Sequence, residues 1–206
     1  MKLSIITINF NNALGLRKTL ASVVEQTFTN FEYIVIDGGS TDGSVEIIKE
    51  YKDNISYSVS EKDGGIYNAM NKGIQHAKGE YCLFLNSGDW LLNNNVLQEI
   101  FKPSHICDII YGNMEIGWSN GKITIGCMPN IIDLKQLYLD TLWHPVSFIK
   151  RKLFVDYGNY DESFKIVGDY EFFFRVIILH KATTCHSGVT ISHFDATGIS
   201  SNQNQK

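Results

Sequence analysis

Tyr81-Cys82-Leu83-Phe84-Leu85-Asn86-Ser87-Gly88-Asp89-Trp90 decides the fold. Five residues without a charge run into a small polar turn that ends in one carboxylate. The apolar run predicts a strand buried on both faces, the type found at the centre of a parallel sheet. Asn-Ser-Gly stops it. In an open α/β sheet, ligands bind beyond the carboxyl ends of the strands. Asp89 is therefore expected at the mouth of a ligand crevice, where a carboxylate can hold a divalent cation and the cation can hold phosphates. The alternative is a solvated turn aspartate.

Upstream, strands and helices alternate. Leu3 to Ile8 and Phe31 to Ile36 are β-rich runs, and Ile55 to Val59 is a third, shorter one. Leu16, Leu20, Val23 and Val24 share one helix face, as do Ile66, Met70 and Ile74. A short helix through Val45, Ile48 and Tyr51 takes Thr41 or Ser44 as its N-cap. Lys78-Gly79 has the cation-then-glycine form of a helix end. The first 90 residues thus predict β-α-β-α-β-α-β, a doubly wound parallel sheet.

Downstream the pattern changes. A helix over Val96 to Phe101 ends at Pro103. A strand covers Ile106 to Tyr111, and Asn120-Gly121 marks a hairpin between Met114–Gly117 and Lys122–Cys127. Helices are expected over Ile132 to Tyr138 and Glu171 to Leu179, and strands over Val146 to Ile149 and Thr183 to Ser192. The reading is one α/β domain with a nucleotide-binding half of about residues 1–95, an acceptor half of about 96–199, and a polar, flexible tail at 200–206.

Bulk properties narrow the function. The 206 residues are 44% hydrophobic and 19% charged, with a net charge of −4 and no basic block. This disfavours nucleic acid as the main partner. Cys82, Cys107, Cys127 and Cys185 lie far apart with no CxxC pair, so neither a zinc knuckle nor a redox motif is indicated, and a reducing compartment fits best. The N-terminus is too short and polar for a signal peptide, and no apolar run approaches the roughly 20 residues that span a bilayer. The expected location is the cytoplasm, with peripheral membrane contact left open.

Asn9, Asp37 and Asp89 all stand at strand ends that a parallel sheet brings to one edge. A carboxylate such as Asp37 can accept the N–H of a uracil or guanine base, and Gly38 and Gly39 let backbone approach a ligand closely. Neither GxGxxG nor GxxxxGK[ST] occurs, which counts against a dehydrogenase and a P-loop NTPase.

Five pieces in order carry a more specific likeness: Ser4–Asn11, Tyr33–Ser44, Asn71–Gly73 with Ala77–Tyr81, Phe84–Asp89, and Gly168-Asp169-Tyr170-Glu171. Together they span nearly the whole chain, and the set resembles the family 2 glycosyltransferases of the GT-A fold. Gly65–Gly73 resembles bacterial enzymes that build capsule or exopolysaccharide. The resemblance implies a nucleoside pocket around Thr7, Asn9 and Gly39, with Asp37 on the base. It implies a metal, Mn²⁺ or Mg²⁺, on Asp89, the last carboxylate of a DxD-type motif, and a catalytic base at Asp169. It further implies a nucleotide-sugar donor, a glycan or polyprenyl-diphosphate-linked acceptor, and inversion at the anomeric carbon. Asn86 and Gly88 depart from the family's aspartates, which leaves more of the metal's coordination to water and diphosphate.

Other residues have two readings each. His193 is a further metal or phosphate ligand, or a structural histidine. His144 contacts diphosphate or acceptor, or is structural. Lys72 serves a phosphate or is solvated. Trp90, Trp143 and Tyr67 stack on sugars or are buried aromatics. A helix N-cap is the alternative for Asp169. Two rival functions remain: a nucleotide-sugar-binding protein without catalysis, and a sugar-phosphate nucleotidyltransferase, whose basic glycine-rich loop Asn9–Gly15 lacks.

Overall fold

The computed structural model describes residues 1–102 and 107–196. In chain order the elements are β1 (Leu3–Asn9), α1 (Ala13–Val24), β2 (Phe31–Asp37), α2 (Ser44–Glu50), β3 (Tyr57–Ser60), α3 (Ile66–His76), β4 (Tyr81–Phe84), β5 (Trp90–Leu91) and α4 (Val96–Phe101). They continue with β6 (Ile109–Gly117), β7 (Ile123–Gly126), α5 (Leu134–Leu139), β8 (Ser147–Lys150), α6 (Arg151–Tyr157), α7 (Gly168–Phe173) and β9 (Thr184–Asp195). A 3₁₀ turn, His144–Val146, precedes β8, and a π-helical stretch, Phe174–Leu179, prolongs α7. Pro103 and the tail at 200–206 lie outside the described residues.

One nine-stranded sheet runs in the order β3-β2-β1-β4-β8-β6-β9-β5, with β7 paired to β6. The first four neighbours are parallel, as the alternating pattern predicts. β4 is buried at every position, yet it is not flanked by parallel strands on both sides. It pairs parallel with β1 and antiparallel with β8. It is therefore the seam between the parallel half and a mixed half. Burial on both faces requires an unbroken apolar run whichever way the neighbour points, so the run alone does not reveal the seam.

Each face of the sheet has its own core. Leu3 and Ile5 of β1 pack with Leu16 and Leu20 of α1, while Ile6 and Ile8 pack with Met70 and Ile74 of α3. The period-2 alternation of a strand sends successive side chains to opposite layers. The α6 helix has no counterpart in the sequence reading. The hairpin at Asn120-Gly121 is present, with Met114 opposite Gly126.

Three local expectations change. The α2 cap is Gly43 at φ +97°, with no side-chain cap bond, rather than Thr41 or Ser44. Cys107 and Cys185 form a disulfide with Cα atoms 6.0 Å apart, which their separation of 78 residues concealed. β9 runs beside β6 and brings them together. Finally, α3 ends at Ala77 in extended backbone, so Gly79 is not a left-handed cap. It is small because β1 passes over it: a Cβ there would lie 2.5 Å from Leu3 C and from Ser4 N. Those contacts are backbone and cannot swing away. Gly79→Ala is expected to destabilise the fold by about 3 kcal/mol, the upper part of the overpacking range. Urea unfolding checks this as a lowered midpoint with unchanged slope.

Candidate active site

The parallel strands put Asn9 and Asp37 side by side, in register, at the carboxyl edge. Asn9 Nδ2 donates to Asp37 Oδ1 at 2.7 Å. Ser40 Oγ donates to the same oxygen at 2.6 Å, while Ser40 N and Ser60 Oγ donate to Oδ2 at 2.9 and 2.6 Å. Burial raises the Asp37 pKa, but these hydrogen bonds outweigh it and hold the carboxyl below its usual range. A carboxylate offers about four lone-pair sites, and all are filled from within the protein. Asp37 is fully buried. It organises the loops after β1 and β2.

Thr7 is also closed off. It is fully buried, donates to the Leu85 carbonyl at 2.7 Å and bonds the Tyr33 hydroxyl. It fixes the start of the turn after β4. Gly39 sits at φ +80°, a conformation that favours glycine. Lys72 is held by Glu61 at 2.7 Å and Asp63 at 2.8 Å, so its charge is already matched.

The turn after β4 carries Asp89 as expected. Asn12 Nδ2 donates to Ser87 O at 2.9 Å, and Thr19 Oγ1 to Asp89 O at 2.7 Å, which ties the turn to both ends of the first α1 turns. Asp89 is 6% exposed. Its Oδ1 accepts from Asp195 N at 3.1 Å. Burial pushes its pKa up to about 7, the Asp195 N–H pulls it back, and the Asp195 charge raises it again. Asp195, at the end of β9, is the residue that sequence reasoning missed here. The signal was weak: a single aspartate closing Ile191-Ser192-His193-Phe194-Asp195.

His193 does not join this corner as a free ligand. Its Nδ1 is 2.7 Å from Glu115 Oε1, its ring stacks on Trp90 at 3.8 Å, and a Cβ on Gly117 would reach Nε2 at 2.4 Å. Nδ1 is thus committed to Glu115. Trp90 has His193 on its ring and the Lys18 ammonium 5.3 Å from its centroid. Trp143 packs on Gly126.

The second cluster surrounds Asp169. It stands in the first turn of α7, where Val167 is the N-cap, so capping is not its role. It is half-buried and opens on a cleft of about 350 Å³ shared with Tyr138, Leu139, Val167 and Tyr170. Tyr67 Oη donates to Asp169 Oδ1 at 3.0 Å and also bonds the Ile166 carbonyl. His144 Nδ1 lies 3.9 Å from Asp169 Oδ2. Burial lowers the His144 pKa against the opposing charge of Asp169. Tyr67 is 3% exposed and so cannot stack on a sugar. Glu171 is bound through both oxygens to Arg175, at 2.8 and 3.0 Å, and is not a competing base. Among the described residues no Lys or Arg pairs with this half-buried carboxylate at the edge of the cleft.

The sequence profile described as Glycosyl transferase family 2 matches residues 4–158. An uncharacterized glycosyltransferase of Mycobacterium tuberculosis is 31% identical, over 97% of this chain and 77% of its own length. The chain belongs to glycosyl transferase family 2. Two solved structures share the fold of this family 2 chain. Staphylococcus aureus TarS 1–349 in complex with UDP-GlcNAc has a TM-score of 0.74 at 22% identity, covering 95% of this chain and 58% of that one. The mannosyltransferase PcManGT from Pyrobaculum calidifontis, in complex with GDP-Man and Mn²⁺, has a TM-score of 0.70 at 14% identity, covering 94% and 56%. The chain therefore spans little more than half the length of either solved chain, and the likeness establishes the GT-A fold.

A divalent cation fits the Asp89 corner on its donor chemistry. A buried carboxylate there meets one N–H, and no cationic side chain acts on it among the described residues. Asn86 Oδ1 is buried with no hydrogen-bond partner. Asp89 and Asp195 are the residues that would hold Mn²⁺ or Mg²⁺. The described residues contain no group of three or more His, Cys, Asp or Glu suited to a metal. The other coordination sites would go to water and to diphosphate oxygens, as these ions allow.

Proposed function

We propose that this family 2 chain transfers a sugar, with inversion, from a UDP- or GDP-linked donor to a hydroxyl of a glycan or lipid-linked oligosaccharide. The setting is bacterial surface polysaccharide synthesis at the inner face of the plasma membrane. Among the described residues no helix is long and apolar enough to cross a membrane, which is compatible with peripheral association. The observation that carries the reading is Asp169, a half-buried carboxylate at the edge of a cleft with no Lys or Arg partner among the described residues.

In the step proposed, the acceptor O–H bond breaks and its proton goes to Asp169. The freed electron pair forms the bond to the anomeric carbon from the side opposite the diphosphate. The bond from that carbon to phosphate oxygen breaks, and its electron pair leaves on the nucleoside diphosphate. A bound Mn²⁺ or Mg²⁺ supplies charge neutralisation on the leaving phosphate. Asp89 and Asp195 would hold it, and the bonds from Thr19 and Asn12 keep the turn in place.

The relatives support both halves of the reading. TarS 1–349 is in complex with UDP-GlcNAc and PcManGT with GDP-Man and Mn²⁺. The test is calorimetric titration with UDP and with GDP, each with Mn²⁺ and with EDTA. The expected result is binding of one nucleotide in Mn²⁺ and a loss of at least about tenfold in affinity in EDTA. Failure of both nucleotides to bind with Mn²⁺ overturns the donor assignment.

A further inference from the structure

We propose that Tyr67 and His144 are positioning residues that divide the labour of the two Asp169 oxygens: Tyr67 holds Oδ1, and His144 leaves Oδ2 as the atom that takes the acceptor proton. This rests on the reading of Asp169 as the base.

Tyr67 comes from α3, 102 residues before Asp169, and is locked in place. Its ring lies under Gly168, where a Cβ would approach it to 2.8 Å, and it tilts against Tyr160 with ring centres 5.6 Å apart. Gly168 is therefore small so that the phenol can reach the carboxylate. The hydroxyl has one proton and two acceptors in range, Asp169 Oδ1 and the Ile166 carbonyl. A hydrogen bond to an ionised oxygen is about twice as strong as one to a neutral oxygen. The proton therefore goes to Asp169 while it is a carboxylate and to Ile166 once Asp169 has been protonated. The hydroxyl stays satisfied in both states.

His144 is fixed from the opposite side. It is buried against Phe84 and Phe173, with ring centres 5.1 and 5.7 Å away. Its Nε2 lies 2.7 Å from the Tyr160 hydroxyl. Tyr160 is buried, and its hydroxyl has no other hydrogen-bond partner among the described residues. The arrangement that leaves no buried O–H unpaired has Tyr160 donating to Nε2, which puts the imidazole proton on Nδ1. Nδ1–H then points toward Asp169 Oδ2 from 3.9 Å, beyond hydrogen-bond length. Oδ2 faces the imidazole but is not consumed. Since Nδ1 already carries its proton, His144 does not accept the one that Asp169 gains, and that proton leaves through the open cleft.

Tyr160 is itself set by Asn71, which accepts from Tyr160 N at 3.1 Å and donates to Tyr160 O at 2.9 Å. The groups facing Asp169 are thus Tyr67 from α3, His144 from the turn before β8, and Tyr160 from the loop after α6. Arg175 on the same helix is committed to Glu171 and to the carbonyls of Tyr157, Gly158 and Asn159.

The test is NMR on the full chain without donor, so it does not depend on finding the substrate. The carboxyl-¹³C shift of Asp169 at one fixed pH, assigned by its absence in Asp169→Asn, is compared in wild type and Tyr67→Phe. It is expected to move in Tyr67→Phe, because the hydrogen bond to Oδ1 is gone. The ¹⁵N shifts of His144 should report the Nδ1–H tautomer, and Tyr160→Phe should shift the equilibrium toward Nε2–H. An unchanged Asp169 carboxyl shift in Tyr67→Phe, or an Nε2–H tautomer in wild type, overturns the proposal. Asp169→Asn turnover tests the base reading separately. Should that variant keep its activity while the carboxyl shift of Tyr67→Phe still moves, the catalytic reading has failed and the positioning geometry stands.

Discussion

Asp169→Asn is expected to lose about a thousandfold in kcat, within the range supplied by a positioned general base, while nucleotide binding and the fold survive. The side chain changes by one group. An amide in the Asp169 position still accepts from Tyr67 through its oxygen, so the bond at 3.0 Å is kept. Among the described residues no Lys or Arg pairs with Asp169, so the change breaks no such ion pair. What is lost is the capacity to accept a proton from a hydroxyl. The comparison is Glu171→Gln, two residues along α7. Glu171 holds Arg175, which in turn braces the carbonyls of Tyr157 to Asn159. That variant should therefore melt earlier but keep kcat within about tenfold, since a partly buried ion pair supports structure rather than chemistry. Steady-state turnover with calorimetric nucleotide binding on both variants decides the matter. Activity in Asp169→Asn above about a tenth of wild type would remove Asp169 from the base role, because such a residue contributes at least about a hundredfold.

What could be read from the chain followed how local the physics is. The parallel half was legible because each of its strands and helices declares itself within about ten residues, through apolar runs or helical spacing. The seam at β4 was not, because pairing with β8 depends on residues that follow 65 positions later, as in Leu83 opposite Phe148. The same holds for the site. Asp37, Asp89 and Asp169 stand out as lone carboxylates after strands or at a helix start. Their roles depend on partners that no local pattern shows. Ser60 closes Asp37 from 23 residues away, Asp195 reaches Asp89 across 106, and Tyr67 reaches Asp169 across 102. Lys72 and His193 carry the right chemistry for phosphate or metal, but Glu61, Asp63 and Glu115 take up their polar groups first. Residue type announces capacity, and only the three-dimensional neighbours show whether that capacity is free.

Asp89→Asn should make the ligand-free protein more stable and its metal-dependent binding weaker, and the two effects have one cause. Burial raises the Asp89 pKa from 3.8 to about 7. Below about pH 4 the carboxyl is protonated in folded and unfolded chains alike, so the position costs nothing. As pH rises from 4 towards 7, the unfolded chain ionises first, and stability falls. Above 7 the folded chain carries the full cost of a buried charge, about 4 kcal/mol for a shift of that size. Asparagine keeps the oxygen that accepts from Asp195 N and removes the charge. The variant should therefore match wild type near pH 4 and exceed it by a few kcal/mol at pH 8. A bound Mn²⁺ with UDP or GDP gives the wild-type charge a partner, and stability recovers as RT ln(1 + [L]/Kd), about 2.7 kcal/mol at a hundredfold excess over Kd. The variant, lacking that charge, should gain far less from the same additions. Urea unfolding at pH 4, 6 and 8, with Mn²⁺ plus nucleotide or with EDTA, reads both effects in one series. A parallel pH dependence in the two proteins would mean that Asp89 is solvated and carries no buried charge. An equal gain from Mn²⁺ and nucleotide would mean that the cation is held elsewhere. The combined result expected, a more stable apoprotein that binds its ligand poorly, is the signature of a residue kept at a cost in stability for the sake of its ligand.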